Sequence, residues 1–155
     1  MKRKFFFFDI DGTLAVGVPG KQYIPESTKD AIRKLKGAGH FTAIATGRSY
    51  AMAVENMEAL GFSNMVSDGG NGITIDHKLI EIKPLDYDKC LKLIDECKEK
   101  NFIWAISPDN TKRRLAPDQR FYDYTHDLYM KTEVVPGLDP RDYDKIYKVY
   151  VACAS

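Results

Sequence analysis

Short apolar runs alternate with amphipathic helical segments over the first half of the chain. The pattern predicts strands at Phe5–Phe8, Phe41–Ala45 and Met65–Ser67, and helices at Glu26–Ala38 and Ser49–Leu60. Strands that alternate with helices through short connections lie parallel and are joined by right-handed crossovers. Because every position of the first run is phenylalanine, we expect that strand to be buried on both faces. The sequence therefore predicts an α/β protein with a Rossmann-like parallel sheet in a three-layer α/β/α arrangement.

The pattern changes after Gly69. Residues 73–75 and 79–82 predict a hairpin, and Pro84 marks a boundary. Beyond that boundary the predicted elements are a helix, a strand, a second helix and a final strand: Asp86–Lys100, Phe102–Ile106, Phe121–Met130 and Ile146–Ala152. We therefore expect two parts, residues 1–83 and residues 84–155, the second being a smaller α/β unit.

Composition excludes some partners and compartments. The 155 residues include 23 basic and 22 acidic side chains, too even a balance for the basic face that nucleic acid requires. No segment approaches the roughly 18 apolar residues of a membrane span. The apolar run after Lys4 is too short for a signal peptide. The three cysteines form no C-x-x-C pair, which favours a reducing compartment. We expect a soluble cytoplasmic protein that binds neither nucleic acid nor membrane.

Two aspartates, Asp9 and Asp11, directly follow the phenylalanine run. Ligands of open parallel sheets bind at the carboxyl ends of the strands, and residues two apart in an extended chain point the same way. Two like charges about 5 Å apart cost roughly 3 kcal/mol at an effective dielectric near 20. A hard cation such as Mg²⁺ offsets that cost, and Gly12 lets the backbone approach a ligand. The pattern therefore predicts a magnesium site at Asp9 and Asp11.

Thr46 and Gly47 end the second predicted strand and precede the second helix. A hydroxyl and free backbone N–H groups at the start of a helix suit a phosphate group. Alone, a Thr-Gly pair is equally compatible with a simple strand exit. Since it follows the strand next to Asp9, we interpret Thr46 and Gly47, together with Gly12, as phosphate-binding residues.

Two stretches resemble a known family. Phe8–Leu14, FDIDGTL, is similar to the first motif of the haloacid dehalogenase-like (HAD) superfamily, most of whose members are Mg²⁺-dependent phosphatases. Ala43–Arg48, AIATGR, resembles the second motif of its Cof-type, subclass IIB branch. The resemblance implies that Asp9 is the nucleophile that forms an aspartyl-phosphate and that Asp11 is the general acid and base. It also implies that the Asp9 carboxylate and the Asp11 backbone carbonyl bind Mg²⁺.

The resemblance implies roles for two further residues. Arg48 would position the substrate or the cap, the alternative being a surface arginine at a helix N-terminus. Asn71 lies in the glycine-rich stretch Ser67–Gly72, which in this branch is near the active site. The same stretch is equally well interpreted as the turn that opens the predicted hairpin.

The two remaining motifs of the family, a later lysine and an acidic pair after Gly-Asp, are not recognisable. The chain contains no Gly-Asp dipeptide. The resemblance therefore implies an incomplete HAD core over residues 1–83 and part of an inserted α/β cap over residues 84–155. An incomplete core would expose a sheet edge and an apolar face. We accordingly expect a homodimer, or a second chain that completes the core.

Three functions remain open at this point. The first is a Mg²⁺-dependent phosphatase that hydrolyses a small phosphorylated metabolite. The second is a catalytically inactive remnant that binds phosphate, Mg²⁺ or a partner protein, because half of the catalytic set is absent. The third is a minimal capless phosphatase in which Asp139, Asp142 and Asp144 form the acidic motif, with Lys112 or Lys131 as the lysine.

Overall fold

The computed structural model describes residues 2–18, 21–127 and 129–152. The chain divides into two compact units, Met1–Ile82 and Lys83–Ser155. In the described part of the chain, no helix has the length and apolar character needed to cross a membrane. The interpretation of the two units as core and cap stays a prediction.

The first unit is a five-stranded sheet with two helices. Its elements in chain order are β1 (Phe5–Phe8), α1 (Glu26–Gly37), β2 (Phe41–Ala45), α2 (Tyr50–Ala59), β3 (Met65–Ser67), β4 (Gly72–Ile75) and β5 (Lys78–Ile82). The strands neighbour one another in chain order. β1, β2 and β3 are parallel, whereas β4 and β5 are antiparallel and form the predicted hairpin. The α/β fold class predicted from the sequence is confirmed.

The helices cover only one face of this sheet. They form a core with the strands that contains Ile32, Ala53, Met57, Ile44 and Met65. The opposite face, called the open face below, presents Phe5, Phe7, Phe41, Ile73 and Ile75. The prediction that β1 is buried on both faces is wrong, since Phe5 and Phe7 are 64% and 57% exposed. The reason is topological: strand order follows chain order, so two right-handed crossovers place both helices on the same side.

The second unit is a four-stranded sheet that is covered on both faces. Its elements are α3 (Tyr87–Glu99), β6 (Ile103–Ser107), β7 (Arg113–Ala116), α4 (Arg120–Thr125), β8 (Lys131–Val134) and β9 (Lys148–Ala152), with strand order β8-β7-β6-β9. Ile94 of α3 shares a core with Trp104 and Ile106, and Phe121 of α4 packs with Ala105. Because these strand residues alternate along β6, the two helices lie on opposite faces.

The structure corrects two predictions in the second unit. The helix predicted at Phe121–Met130 ends at Thr125, where His126 adopts a φ of +51° that interrupts the helix. Strands β7 and β8 were not predicted, because the basic residues of β7 resemble a solvated loop. Arg114 is instead half-buried and donates to the hydroxyl groups of Thr132, at 3.0 Å, and Thr125, at 2.8 Å. These side-chain contacts, which the sequence pattern does not show, satisfy a charge inside the sheet layer.

Candidate active site

The carboxyl ends of the three parallel strands meet at one edge of the first unit's sheet. Phe8 pairs with Ile44 in the parallel register of β1 and β2. The backbone N–H of Thr46 donates to the carbonyl of Val66 in β3 at 2.9 Å. Asp9 and Thr46 therefore leave adjacent strands at the same edge, which is where ligands of open α/β sheets bind.

A tight backbone turn follows β1. The carbonyl of the fully buried Ile10 accepts hydrogen bonds from the N–H groups of Leu14, at 3.0 Å, and Ala15, at 2.8 Å. Gly12 has a φ of +77°, a conformation that favours glycine. No described residue donates a hydrogen bond to the backbone carbonyl of Asp11. The turn thus holds this part of the chain at the sheet edge and leaves one carbonyl oxygen available to a ligand.

The Asp11 carboxylate is clamped by two side chains. Arg48 donates to it twice, from Nε to Oδ2 at 2.9 Å and from Nη2 to Oδ1 at 2.6 Å. Gln22 donates from Nε2 to Oδ1 at 2.8 Å and accepts from Arg48 Nη2 at 2.6 Å. The hydrogen bonds from Arg48 hold the pKa of Asp11 below its usual value, against the opposing effect of burial and with help from Gln22. In this arrangement Asp11 is ionised at neutral pH.

Asp9 is in the opposite situation. Its side chain is exposed, and within residues 2–18, 21–127 and 129–152 no group donates a hydrogen bond to its carboxylate. The two aspartates of the motif therefore differ: one carboxylate is held by the protein and the other is open to a ligand. An unengaged carboxylate oxygen is what nucleophilic attack or metal binding requires.

Thr46 is buried and forms the turn between β2 and α2. Its Oγ1 accepts a hydrogen bond of 3.1 Å from the backbone N–H of Arg48. Since a hydroxyl can accept and donate at once, Thr46 retains a proton for a phosphoryl oxygen. Gly47 is exposed, and a Cβ at this position would meet no atom within 4 Å. Gly47 is thus not required by packing, and its suggested phosphate contact stays a prediction.

Asp68 ties β3 to the start of α2. Its backbone adopts a φ of +56°, and Oδ2 accepts from the backbone N–H of Tyr50 at 3.0 Å and from Ser67 Oγ at 2.8 Å. Tyr50 is the first residue of α2, so the carboxylate satisfies one of the unpaired N–H groups of a helix start. This role was not predicted from the sequence, because the two residues lie 18 positions apart.

Asn71 follows a short 3₁₀ turn, Asp68–Gly70, and leads into β4. Its side chain is half-buried, and its backbone N–H lies 3.4 Å from the carbonyl of Asp68. Beside it, Gly72 is enclosed: a Cβ there would lie 2.1 Å from Ser67 Oγ. These contacts describe the turn that opens the hairpin, and a substrate contact by Asn71 stays a prediction.

Gln22 is the other residue of this site that was not predicted. It lies in the loop between β1 and α1, where Val16 and Tyr23 exchange two backbone hydrogen bonds of 2.9 Å. This pairing folds the loop back so that Gln22 reaches Asp11. The Pro19-Gly20 dipeptide between the paired residues is a turn signal in the sequence. It could have indicated the fold-back, although not which side chain contacts the carboxylate.

The acidic stretch of the second unit is built as a turn. Asp139 accepts a hydrogen bond of 3.0 Å from the backbone N–H of Arg141, and the Arg141 guanidinium donates to Asp95 at 2.8 Å. Pro140 between them is buried. Across the described residues there is no group of three or more His, Cys, Asp or Glu side chains that could hold a metal ion. The structure therefore gives no support to a capless phosphatase that uses this stretch.

Two oxygen-bearing groups of the first unit suit a hard cation. The Asp9 carboxylate and the Asp11 backbone carbonyl accept no hydrogen bond from the described residues. Mg²⁺ is commonly bound through one or two carboxylates together with water and substrate phosphate oxygens. The donor set is thus chemically suited to Mg²⁺.

Comparison with known proteins defines the family. The family model for haloacid dehalogenase-like hydrolases matches residues 6–153. The chain therefore belongs to that family, and the resemblance noted in the sequence is confirmed.

Individual relatives are longer than this chain. The chain is 31% identical over 160 residues to YkrA of Bacillus subtilis (strain 168), which is named as a candidate phosphatase. The alignment covers 99% of this chain and 58% of YkrA. A Geobacillus kaustophilus HTA426 protein has a TM-score of 0.70 at 28% identity, over 98% of this chain and 58% of that one. BT4131, which is described as a HAD subclass IIB sugar phosphatase, has a TM-score of 0.64 at 20% identity. The comparison covers 86% of this chain and 53% of BT4131, and it shows that the two share a fold.

Proposed function

We propose that this chain carries the nucleophile and the phosphate-binding residues of a Mg²⁺-dependent phosphatase that acts on a small phosphorylated metabolite. The observation that carries the proposal is the pair of unlike carboxylates at the strand ends. Asp9 is open to a ligand, whereas Asp11 is held by Arg48 and Gln22. Membership of the HAD hydrolase family and the phosphatase name given to YkrA support the same activity.

Asp9 acts as the nucleophile. An oxygen of its exposed carboxylate attacks phosphorus, the bond from phosphorus to the leaving oxygen breaks, and an aspartyl-phosphate forms. Water then cleaves the aspartyl-phosphate and releases inorganic phosphate. The Thr46 hydroxyl holds a phosphoryl oxygen, while Gly12, whose own N–H donates to the Ala15 carbonyl at 2.9 Å, and Gly47 let the backbone approach the phosphoryl group. Mg²⁺ held by the Asp9 carboxylate and the Asp11 carbonyl would neutralise negative charge on the phosphoryl group.

Asp11 delivers the proton to the leaving oxygen and later withdraws one from water. Because the Arg48 contacts keep this carboxyl ionised, the acid role requires those contacts to loosen when substrate binds. A guanidinium prefers to pair with phosphate oxygens through two donors. Arg48 is therefore expected to shift from Asp11 to the substrate, which joins substrate binding to activation of the acid.

The expected place of action is the cytoplasm. Cys90 and Cys97 are buried and form no disulfide, which supports a reducing compartment. The expected ligand is a small phosphorylated metabolite rather than nucleic acid, since basic and acidic residues are nearly balanced.

A second candidate function is favoured by two observations. In the part of the chain that the structure describes, no three metal-binding side chains come together, and two family motifs are not recognisable in the sequence. A module that binds phosphate and Mg²⁺ without turnover would need no more than the groups already present.

The deciding experiment is Mg²⁺-dependent hydrolysis of an aryl phosphate by the wild-type chain and by Asp9→Asn. We expect turnover by the wild type and background rates for Asp9→Asn. The matched control is Asp76→Asn, at an exposed position of the hairpin between β4 and β5, which should keep the wild-type rate. Equal rates for wild type and Asp9→Asn would exclude the mechanism. No turnover by the folded wild type, with calorimetric binding of Mg²⁺ and phosphate retained, would establish the binding module.

A further inference from the structure

A polar cavity lies at the end of the first unit's sheet that is opposite to Asp9 and Thr46. Its volume is about 460 Å³, and its walls include residues that precede or begin the parallel strands: Arg3 before β1, Phe41 at the start of β2 and Asn64 before β3. None of the described residues that line it is assigned to the candidate active site. A cavity of this size suits a small metabolite.

Four side chains that line the cavity carry or can gain a positive charge: Arg3, Lys36, His40 and His77. The Arg3 guanidinium lies 5.5 and 5.9 Å from the ring centres of Phe5 and Phe41. Within residues 2–18, 21–127 and 129–152, this guanidinium makes no ion pair and the His77 imidazole makes no hydrogen bond. Both side chains therefore retain N–H donors for a ligand.

Lys36 reaches the cavity from the last turn of α1. Its side chain is half-buried: the ammonium donates to the carbonyl of Gly61 and lies 4.8 Å from the centre of the Phe62 ring. Burial lowers the pKa of Lys36, because desolvation disfavours the charged form. An ammonium has three donors, so the contact with Gly61 leaves others for an anion, which would offset the desolvation.

The turn between β4 and β5 is fixed against the loop that precedes β3. The backbone N–H of His77 donates to the carbonyl of Ser63 at 2.8 Å, and that of Asp76 donates to Asn64 Oδ1 at 3.2 Å. Asp76 and His77 have φ values of +47° and +63°, as a two-residue hairpin turn of this kind requires. These contacts hold His77 in place beside the cavity.

Two features of the cavity oppose an anion. Asp76 contributes a carboxylate to the lining, and the C-terminal ends of α1 and α2, which carry partial negative charge, lie at the same end of the unit. The charge of the described lining is nevertheless positive, since Arg3 and Lys36 outnumber this carboxylate. The helix ends are also satisfied: Gly61 accepts from Lys36, and the α1 carbonyl of Lys36 accepts from the Gly39 N–H at 2.9 Å.

Three donors from three different segments thus line one cavity: the guanidinium of Arg3, the ammonium of Lys36 and the imidazole of His77. A carboxylate has two oxygens, which a single guanidinium can bind, whereas a phosphate group presents three. We propose that this cavity binds the phosphate group of a small molecule, either inorganic phosphate or a phosphate monoester, at a site separate from Asp9.

The test is a titration of the nitrogen-15-labelled wild-type chain with inorganic phosphate, followed by NMR without Mg²⁺ and at constant ionic strength. We expect the amide signals of Ser63, Asn64 and His77 to shift and to saturate. Phosphate at the candidate active site would instead shift the signals of Gly12 and Gly47. The two sites are therefore measured separately, and failure of this proposal leaves the proposed phosphatase function untouched.

Variants of the lining residues test the charge argument. Arg3→Gln and His77→Asn should each raise the dissociation constant about fivefold, as expected of an exposed ion pair, and asparagine suits the positive φ at position 77. Asp76→Asn should lower the dissociation constant about twofold, because it removes the carboxylate. The matched control is Arg33→Gln, at an exposed arginine of α1 that pairs with Glu26, which should bind like the wild type. Circular dichroism should show all four variants folded.

Two further titrations identify the ligand. Phenyl phosphate that binds more tightly than inorganic phosphate indicates a phosphorylated metabolite, and equal or weaker binding indicates the free ion. Acetate at the same ionic strength should give no saturable shift. The proposal is overturned if phosphate does not saturate the signals of Ser63, Asn64 and His77, if acetate saturates them equally well, or if Arg3→Gln and His77→Asn both bind phosphate like the wild type.

Discussion

The two units of this chain differ in how far their own residues cover the sheet and pair the charged side chains. In the second unit, helices cover both faces of the sheet, and Arg114 finds hydroxyl partners inside the layer. In the first unit, one sheet face is open, and the Asp9 carboxylate receives no hydrogen bond from the described residues. The described residues of the second unit therefore cover its own sheet, whereas those of the first unit leave an apolar surface and a charged group without such cover.

The largest expected effect tests this difference directly. Ile94 of the second unit is fully buried, whereas Phe7 of the first unit is 57% exposed although its side chain is larger. Ile94→Ala should lower the free energy of unfolding by about 2–5 kcal/mol, because it removes buried atoms and leaves a cavity. Phe7→Ala should cost under about 1 kcal/mol, as expected of a surface position. Urea denaturation measures both values. Equal losses of unfolding free energy in the two variants would contradict the contrast between the two units.

The next prediction concerns close packing at the strand ends of the first unit. Gly72→Ala would place a Cβ 2.1 Å from Ser67 Oγ and 2.8 Å from Asp68 Oδ2. Ser67 must then rotate and lose its hydrogen bond to Asp68, and we expect a loss of about 1–3 kcal/mol in unfolding free energy. Gly37→Ala is the matched control, since a Cβ there meets no atom within 4 Å. Its stability should be unchanged or higher by up to about 1 kcal/mol.

If Gly72→Ala were as stable as Gly37→Ala, the site would not be held by this turn. The comparison between the units would then need revision, because the strand ends of the first unit would be as loosely built as its open face. Thermal unfolding of the two variants under one buffer condition is sufficient to decide.

A smaller effect is expected at Asp68. Asp68→Ala removes the oxygen that accepts from the Tyr50 N–H, and we expect a loss of about 0.5–2 kcal/mol, the usual range for a helix start. Asp68→Asn is the control, because asparagine keeps an acceptor oxygen and tolerates a positive φ. Urea denaturation should therefore rank the asparagine variant between wild type and alanine. Equal losses in the two variants would show that the charge of Asp68, rather than its hydrogen bond, sustains the turn.

Much of the fold followed from local patterns. The alternation of strands and helices predicted β1, α1, β2, α2 and β3, and the two strand-like runs at residues 73–75 and 79–82 predicted the β4–β5 hairpin. The predictions failed where tertiary contacts decide. The burial of Phe5–Phe8 depends on what covers the sheet, which a strand's own composition does not specify. Strand β7 was missed because Arg114 is satisfied by Thr125 and Thr132, which lie 11 and 18 positions away.

The candidate site was predictable to a similar degree. Asp9, Asp11 and Thr46 were selected because strand-end position and residue chemistry are both visible in the sequence. Gln22 and Asp68 were missed, since each acts through a contact with a residue 11 or 18 positions away, Asp11 and Tyr50 respectively. The difference in hydrogen bonding between Asp9 and Asp11 was also not predictable, because it depends on which of the two carboxylates Arg48 contacts.

The smallest expected effect concerns the lowered pKa of Asp11, which is one part of the difference between the two aspartates. Because the pKa of Asp11 is lowered in the folded chain, Asp11 contributes stability above its unfolded pKa of about 3.9, and this contribution is lost as the pH falls through the lower folded value. The side chain is 43% exposed, so solvent screening keeps the contribution small. The direct measurement is therefore a carbon-13 NMR titration of the Asp11 carboxyl without Mg²⁺.

The variants in this titration separate the causes of the shift. Arg48→Ala should raise the pKa of Asp11 more than Gln22→Ala does, because the hydrogen bonds from Arg48 are the largest cause and that from Gln22 is smaller. Arg141→Ala in the second unit removes a guanidinium that pairs with Asp95 and should leave Asp11 unchanged. A larger shift from Gln22→Ala would mean that the loop after β1, rather than the start of α2, controls the carboxyl. The acid role of Asp11 would then depend on movement of that loop instead of movement of Arg48.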